Sequence, residues 1–166
     1  MARLEDTDPI FQYIVIRRDL QEKEGWPLGS LVAQGAHAAV AAVAENIATD
    51  ADTQAYVSPA NIDSMHKAVL EVKNLGQLLS LSERLTSAGV SHRVWKEQPE
   101  NVETCLATKP ARKSGLQEHF KKACSLCSWH APKAANVPKP PKAPQEQHLP
   151  KEPKTSAEAS VKTVNE

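Results

Sequence analysis

No stretch of this 166-residue chain approaches the roughly 18 consecutive apolar residues that a membrane span requires. The opening MARLEDTDPIF is polar and acidic, unlike a secretory leader, and it lacks the Arg-rich amphipathy of a transit peptide. Net charge is missing too: 20 Lys and Arg stand against 20 Asp and Glu. That balance excludes a histone-like binder of nucleic acid but leaves room for a local basic face. Cysteine is scarce and odd in number (Cys105, Cys124, Cys127), which argues against a disulfide scaffold and for a reducing, cytoplasmic setting. GxSxG, HExxH, Walker A and GxGxxG motifs are all absent, which removes the common hydrolase, NTPase and dinucleotide readings.

What is present divides in two. Residues 124–166 hold seven of the twelve prolines and few large apolar residues, so they are expected to form a disordered Pro/Lys-rich tail. Residues 11–123 are the expected folded domain. Residues 12–17 (QYIVIR) form a β-branched run suited to a central strand covered on both faces. Residues 29–48 are alanine-rich and apolar almost all round, which predicts a buried helix entered at Pro27 and capped by Gly29 or Ser30. A short helix near 52–57, a strand at 66–72 and an amphipathic helix at 74–88 ended by Gly89 follow. Strands at 91–97 and 102–108 and a helix at 111–123 complete the pattern. The order β-α-(α)-β-α-β-β-α predicts an α/β fold, a mixed four-stranded sheet between helices.

Charge is segregated along the chain. Residues 1–66 are acidic overall, whereas residues 84–122 carry eight basic against four acidic side chains. The basic half could track a phosphate backbone, or it could be an ordinary solvated face.

Three constellations stand out. Ser30, Gln34 and His37 recur at i, i+4 and i+7 within the apolar helix, so they share a face near its start. Buried polar groups need partners, which leaves either a structural network or a ligand site at the carboxyl ends of the strands. Arg17-Arg18-Asp19-Leu20 directly follows the first strand, where an α/β site would lie, although Asp in such loops is often a turn residue. Cys124, Cys127 and His130 offer three zinc-compatible ligands, but no fourth is evident.

The segment YIVIRRDL…WPLGSLVAQGAHAAVAA resembles the opening of the type 2 (archaeal and eukaryotic) peptidyl-tRNA hydrolases. Arg17, Asp19, Leu20, Gly29, Ala33, Gln34, His37, Ala38 and Ala39 match that pattern, and Thr104–Pro110 resembles the family's T-x-L-x-x-x-P strand. Residues 26–39 and 97–101 are most similar to a divergent branch, the peptidyl-tRNA hydrolase domain-containing proteins. The resemblance covers roughly residues 11–123.

It implies hydrolysis of the ester joining a peptide to the 3′ end of tRNA, with peptidyl-tRNA as partner; no cofactor, metal or membrane is expected. A homodimer is compatible with it. Of the family's Lys, Gln, Asp and Thr, the last three correspond to Gln34, Glu97 and Thr104. Ser30 stands at the lysine position and cannot supply its charge. On this reading Glu97 or Thr104 positions a water, Gln34 stabilises the oxyanion, and His37 holds Gln34 or a loop. Arg17, Asp19, Lys96, Lys109 and Arg112 are the expected substrate-binding side chains. A competing expectation is a tRNA- or protein-binding module that has kept the fold and lost the chemistry.

Overall fold

A computed structural model describes residues 8–127. Its centre is β1 (Ile10–Arg17), whose alternate side chains feed two separate apolar cores. Tyr13 and Val15 face one side, and Ile14 and Ile16 the other. This is the doubly covered strand that its β-branched run foretells. After the one-turn α1 (Asp19–Glu22) comes the long α2 (Leu28–Asn46), then α3 (Ala51–Tyr56) and a 3₁₀ turn at Ile62–Ser64. The chain continues through β2 (His66–Val72), α4 (Leu75–Ser87), β3 (His92–Glu97) and β4 (Val102–Thr108). It closes with β5 (Ala111–Arg112), α5 (Lys113–Phe120) and β6 (Ser125–Leu126).

The main strands run in the order β3-β4-β1-β2. β1 and β2 are parallel, whereas β4 is antiparallel to both β1 and β3. The expected mixed α/β sheet is therefore present, but it has six strands rather than four. Two short additions account for the difference. β5 pairs the start of β1, and β6 pairs Leu70 and Glu71 of β2. Both occupy backbone positions that the four main strands leave open. Ser125–Leu126 thus extends the sheet past the expected boundary at 123. From residue 128 onward the expected tail lies outside the described residues, as does His130 of the possible zinc set. Among the described residues no cluster of His, Cys, Asp and Glu could hold a metal, and no helix is long and apolar enough to cross a membrane.

α2 packs on the Ile14/Ile16 face through Leu31, Ala38, Ala39 and Ala42. A Cβ on Gly35 would sit 3.3 Å from Ile14 Cγ2, so helix and sheet meet closely there. Gln12, fully buried, ties the same layers together by donating from Nε2 to the carbonyls of Ala39 and Thr108. The expectation that α2 is buried all round is corrected: Val32 and Val40 are 62% and 67% exposed. Only the small-residue face meets the sheet; the valines point the other way. α4 covers the opposite face with Leu78, Leu81 and Leu85, each worth about 1.5–3 kcal/mol of burial. Gly89 at φ +71 ends that helix as its position foretells.

Candidate functional site

β1, β2 and β3 run in the same direction, so Arg17, Val72 and Glu97 end at one edge of the sheet. The start of α2 reaches that edge. Pro27, extended at φ −66 and ψ 148, precedes the helix, and no side chain caps its first turn. Ser30 and Gln34 therefore face Glu97 and Glu100 across an open cleft of about 350 Å³, with Gly25, Trp26 and Pro27 along its wall.

Gln34 is the most constrained group in this cleft. Its Oε1 accepts the Thr104 hydroxyl at 2.9 Å, and its main-chain carbonyl accepts the Cys105 thiol at 3.2 Å. Thr104 and Cys105 are neighbours on a strand, where successive side chains ordinarily point to opposite faces. They point the same way because the ladder slips. Trp95 pairs with Cys105 and Lys96 with Glu103, which leaves Thr104 as the extra residue of a β-bulge. With Oε1 occupied, Gln34 also lines the cleft. Nε2 is not among the buried polar atoms that lack a partner. Burial pushes the Cys105 thiol up to about 12, so it stays protonated and acts as a weak donor.

Glu97 is held from the other side. The Trp95 indole N–H donates to Glu97 Oε2 at 3.0 Å, an i, i+2 contact along one strand face. The His37 ring stacks on Trp95 with centroids 5.0 Å apart and planes at 21°. His37 is exposed, which corrects the expectation of a buried Gln34–His37 pair. It braces the indole that orients Glu97 and is not hydrogen-bonded to Gln34.

Arg17 and Asp19 form a fork beneath the site, with Nε–Oδ1 at 3.1 Å and Nη2–Oδ2 at 2.9 Å. Both residues are buried, and Arg17 Nη1 also donates to the Glu103 carbonyl at 2.8 Å, directly beside the bulge. Their charges are spent on each other and on the backbone, so the R-x-D turn supports the site from behind.

The remaining expected substrate-binding cations do not gather at the cleft. Lys96 pairs with Glu103 at 2.9 Å and, with other contacts, holds that carboxyl below its ordinary value. Lys109 pairs with Asp50, and Arg112 lies 3.6 Å from Asp52, both beyond the far end of β4. Arg93 pairs with Glu45, and Lys121 with Glu118. The basic stripe of the sequence is thus largely compensated in three dimensions. The Trp95–Glu97 contact is the site feature that sequence reasoning missed, although their i, i+2 spacing on a predicted strand could have signalled it.

The family described as Peptidyl-tRNA hydrolase PTH2 matches residues 10–125, a span that includes Ser30, Gln34, Glu97 and Thr104. A Mus musculus protein named "Putative peptidyl-tRNA hydrolase PTRHD1" is 39% identical over 115 residues, covering 68% of this chain and 79% of the mouse protein. The Homo sapiens protein of the same name is 39% identical over 114 residues, with the same coverage. With a match spanning all four main strands and both helical layers, the chain belongs to the PTH2 family of peptidyl-tRNA hydrolases.

Proposed function

We propose that the α2 cleft hydrolyses the ester between a peptide and the 3′-terminal ribose of tRNA. The observation that carries this reading is the Thr104 bond to Gln34 Oε1, which commits the opposite end of the amide to the cleft. Gln34 Nε2 then serves as a fixed donor for the oxyanion of the tetrahedral intermediate, beside the uncapped first turn of α2. Glu97, across the cleft, accepts a proton from the attacking water as its oxygen bonds to the ester carbon. Collapse of the intermediate breaks the bond to the ribose oxygen, and Glu97 returns the proton to that oxygen. Thr104 takes part as a positioning residue: it is fully buried and does not line the cleft.

A second reading has its own support. Ser30 occupies the family's lysine position, and among the described residues no cation lines the cleft beside Glu97 and Glu100. A tRNA- or protein-binding module without turnover would have that composition. The two readings separate in an assay of N-acetylaminoacyl-tRNA with the unaltered chain, Glu97→Gln and Ser30→Lys. Release of the acyl group by the unaltered chain, lost in Glu97→Gln, supports the hydrolase. Turnover only in Ser30→Lys, with tRNA binding intact throughout, supports the binding module.

A further inference from the structure

The cleft carries carboxylates, so the polyanion of a tRNA needs another holding place. The face of the sheet under α4 supplies one. Two adjoining hollows of about 360 and 270 Å³ share Gln77 and Lys122. Together they form a groove between the start of α4 and the turn after α5. Arg84 lines the first hollow, Lys73 the second, and Lys122 both.

These three cations differ from most of the basic residues between 84 and 122. All three are exposed, and none has a carboxylate partner among the described residues. Arg93, Lys96, Lys109, Arg112 and Lys121 are each paired. Among the described residues the carboxylate in the groove wall is Glu71, which is buried and lies 3.4 Å from Arg18. Lys113, also outside any ion pair among the described residues, lies over the Phe11 ring instead, so the groove is where three uncompensated cations converge. Asn74, Gln77 and Ser80 add polar groups suited to phosphate oxygens to a wall that also includes Gly76 and Ala123.

The groove lies at the same edge of the sheet as the cleft, since Lys73 directly follows β2. From β3 to β2 is three strand steps, about 14 Å at ~4.8 Å per step. We propose that Lys73, Arg84 and Lys122 hold the phosphate backbone of an RNA whose 3′ end reaches the α2 cleft. The choice of RNA rests on the reading of that cleft as the ester site.

The test is equilibrium binding of uncharged tRNA across a salt series. Such a tRNA carries no ester, so the result does not depend on whether the cleft turns over. The full chain is compared with Arg84→Gln/Lys122→Gln and with Arg93→Gln/Lys113→Gln, which loses the same charge elsewhere. Each phosphate contact contributes about 0.7–0.9 to the slope of log K against log salt. The groove variant is expected to lose about 1.4–1.8 from that slope, and the comparison variant to keep the slope of the unaltered chain. Unchanged thermal melting of both variants shows that the fold is intact. Equal losses in the two variants, or no salt-dependent tRNA binding by the unaltered chain, would overturn the assignment. Loss of binding to phosphatidylserine vesicles, with tRNA binding unchanged, would also overturn it.

Discussion

The Thr104 hydroxyl donates to Gln34 Oε1 over 2.9 Å and reaches neither solvent nor the cleft. One hydrogen bond between β4 and α2 therefore decides which end of the Gln34 amide meets a substrate. Thr104→Val keeps the shape and removes that donor. The freed amide can then rotate, and a buried acceptor loses its partner at a cost of about 1–3 kcal/mol. Steady-state kinetics on N-acetylaminoacyl-tRNA are expected to show kcat down by roughly 10- to 100-fold, KM little changed, and activity largely restored in Thr104→Ser. An unchanged kcat in Thr104→Val would show that the amide needs no such hold.

Trp95 does for Glu97 what Thr104 does for Gln34. Trp95→Phe keeps a ring for His37 to stack on but removes the N–H that meets Glu97 Oε2 at 3.0 Å. A hydrogen bond to a charged group is worth about 1.5–3 kcal/mol. A fall in kcat of about 10-fold or more is expected. His37→Ala, which removes only the brace, should have a smaller effect. If His37→Ala proves the more damaging of the two, His37 acts on substrate directly.

Arg17 and Asp19 are a stability pair by their geometry. Side-chain exposures of 6% and 11% leave each charge little water to fall back on. Asp19→Ala leaves the buried guanidinium only the half-exposed Glu24 carboxylate, 3.4 Å away, as counter-charge, and breaking such a buried pair costs about 3–5 kcal/mol. Urea unfolding followed by circular dichroism should report a loss of that size. A loss under 1 kcal/mol would assign the pair to the substrate instead.

Asp50 gives the fold a pH dependence of predictable sign. Burial pushes its carboxyl up, but the Lys109 contact and two bonds from Thr53 outweigh this and hold it below the ordinary carboxylate value. A carboxyl lowered in the folded state stabilises above its unfolded value and loses that contribution as pH falls through the folded value. Asp50→Asn keeps an acceptor for the Thr53 amide at the α3 cap while discarding the charge. The melting temperature of the unaltered chain should exceed that of Asp50→Asn at pH 7, and the gap should narrow toward pH 3. A gap that widens in acid would reverse the sign of the argument.

Much of the architecture could be read from local pattern. The β-branched run of β1 and the leucine spacing of α4 identify their elements because periodicity and propensity agree there. The resemblance picked out Gln34 and Thr104, and they meet. What the pattern hid was non-local. VETCLAT reads as a regular strand, and nothing in it shows that Thr104 is the residue the ladder skips. Lys109 finds Asp50 and Arg93 finds Glu45 across 59 and 48 residues, so a stripe that is basic in sequence is largely neutral in space. His37 sits at the rim of the face defined by Gln34 and Ala38, where spacing alone does not separate inside from outside.

The most direct measurement is single-turnover release of N-acetylated amino acid from its tRNA by the unaltered chain and by Gln34→Ala. If Gln34 Nε2 supplies an oxyanion donor, the unaltered chain hydrolyses the ester, and the variant is slower by about 10²–10³-fold with tRNA affinity preserved. Equal rates in the two proteins, or no release by either, would contradict the hydrolase reading of the α2 cleft.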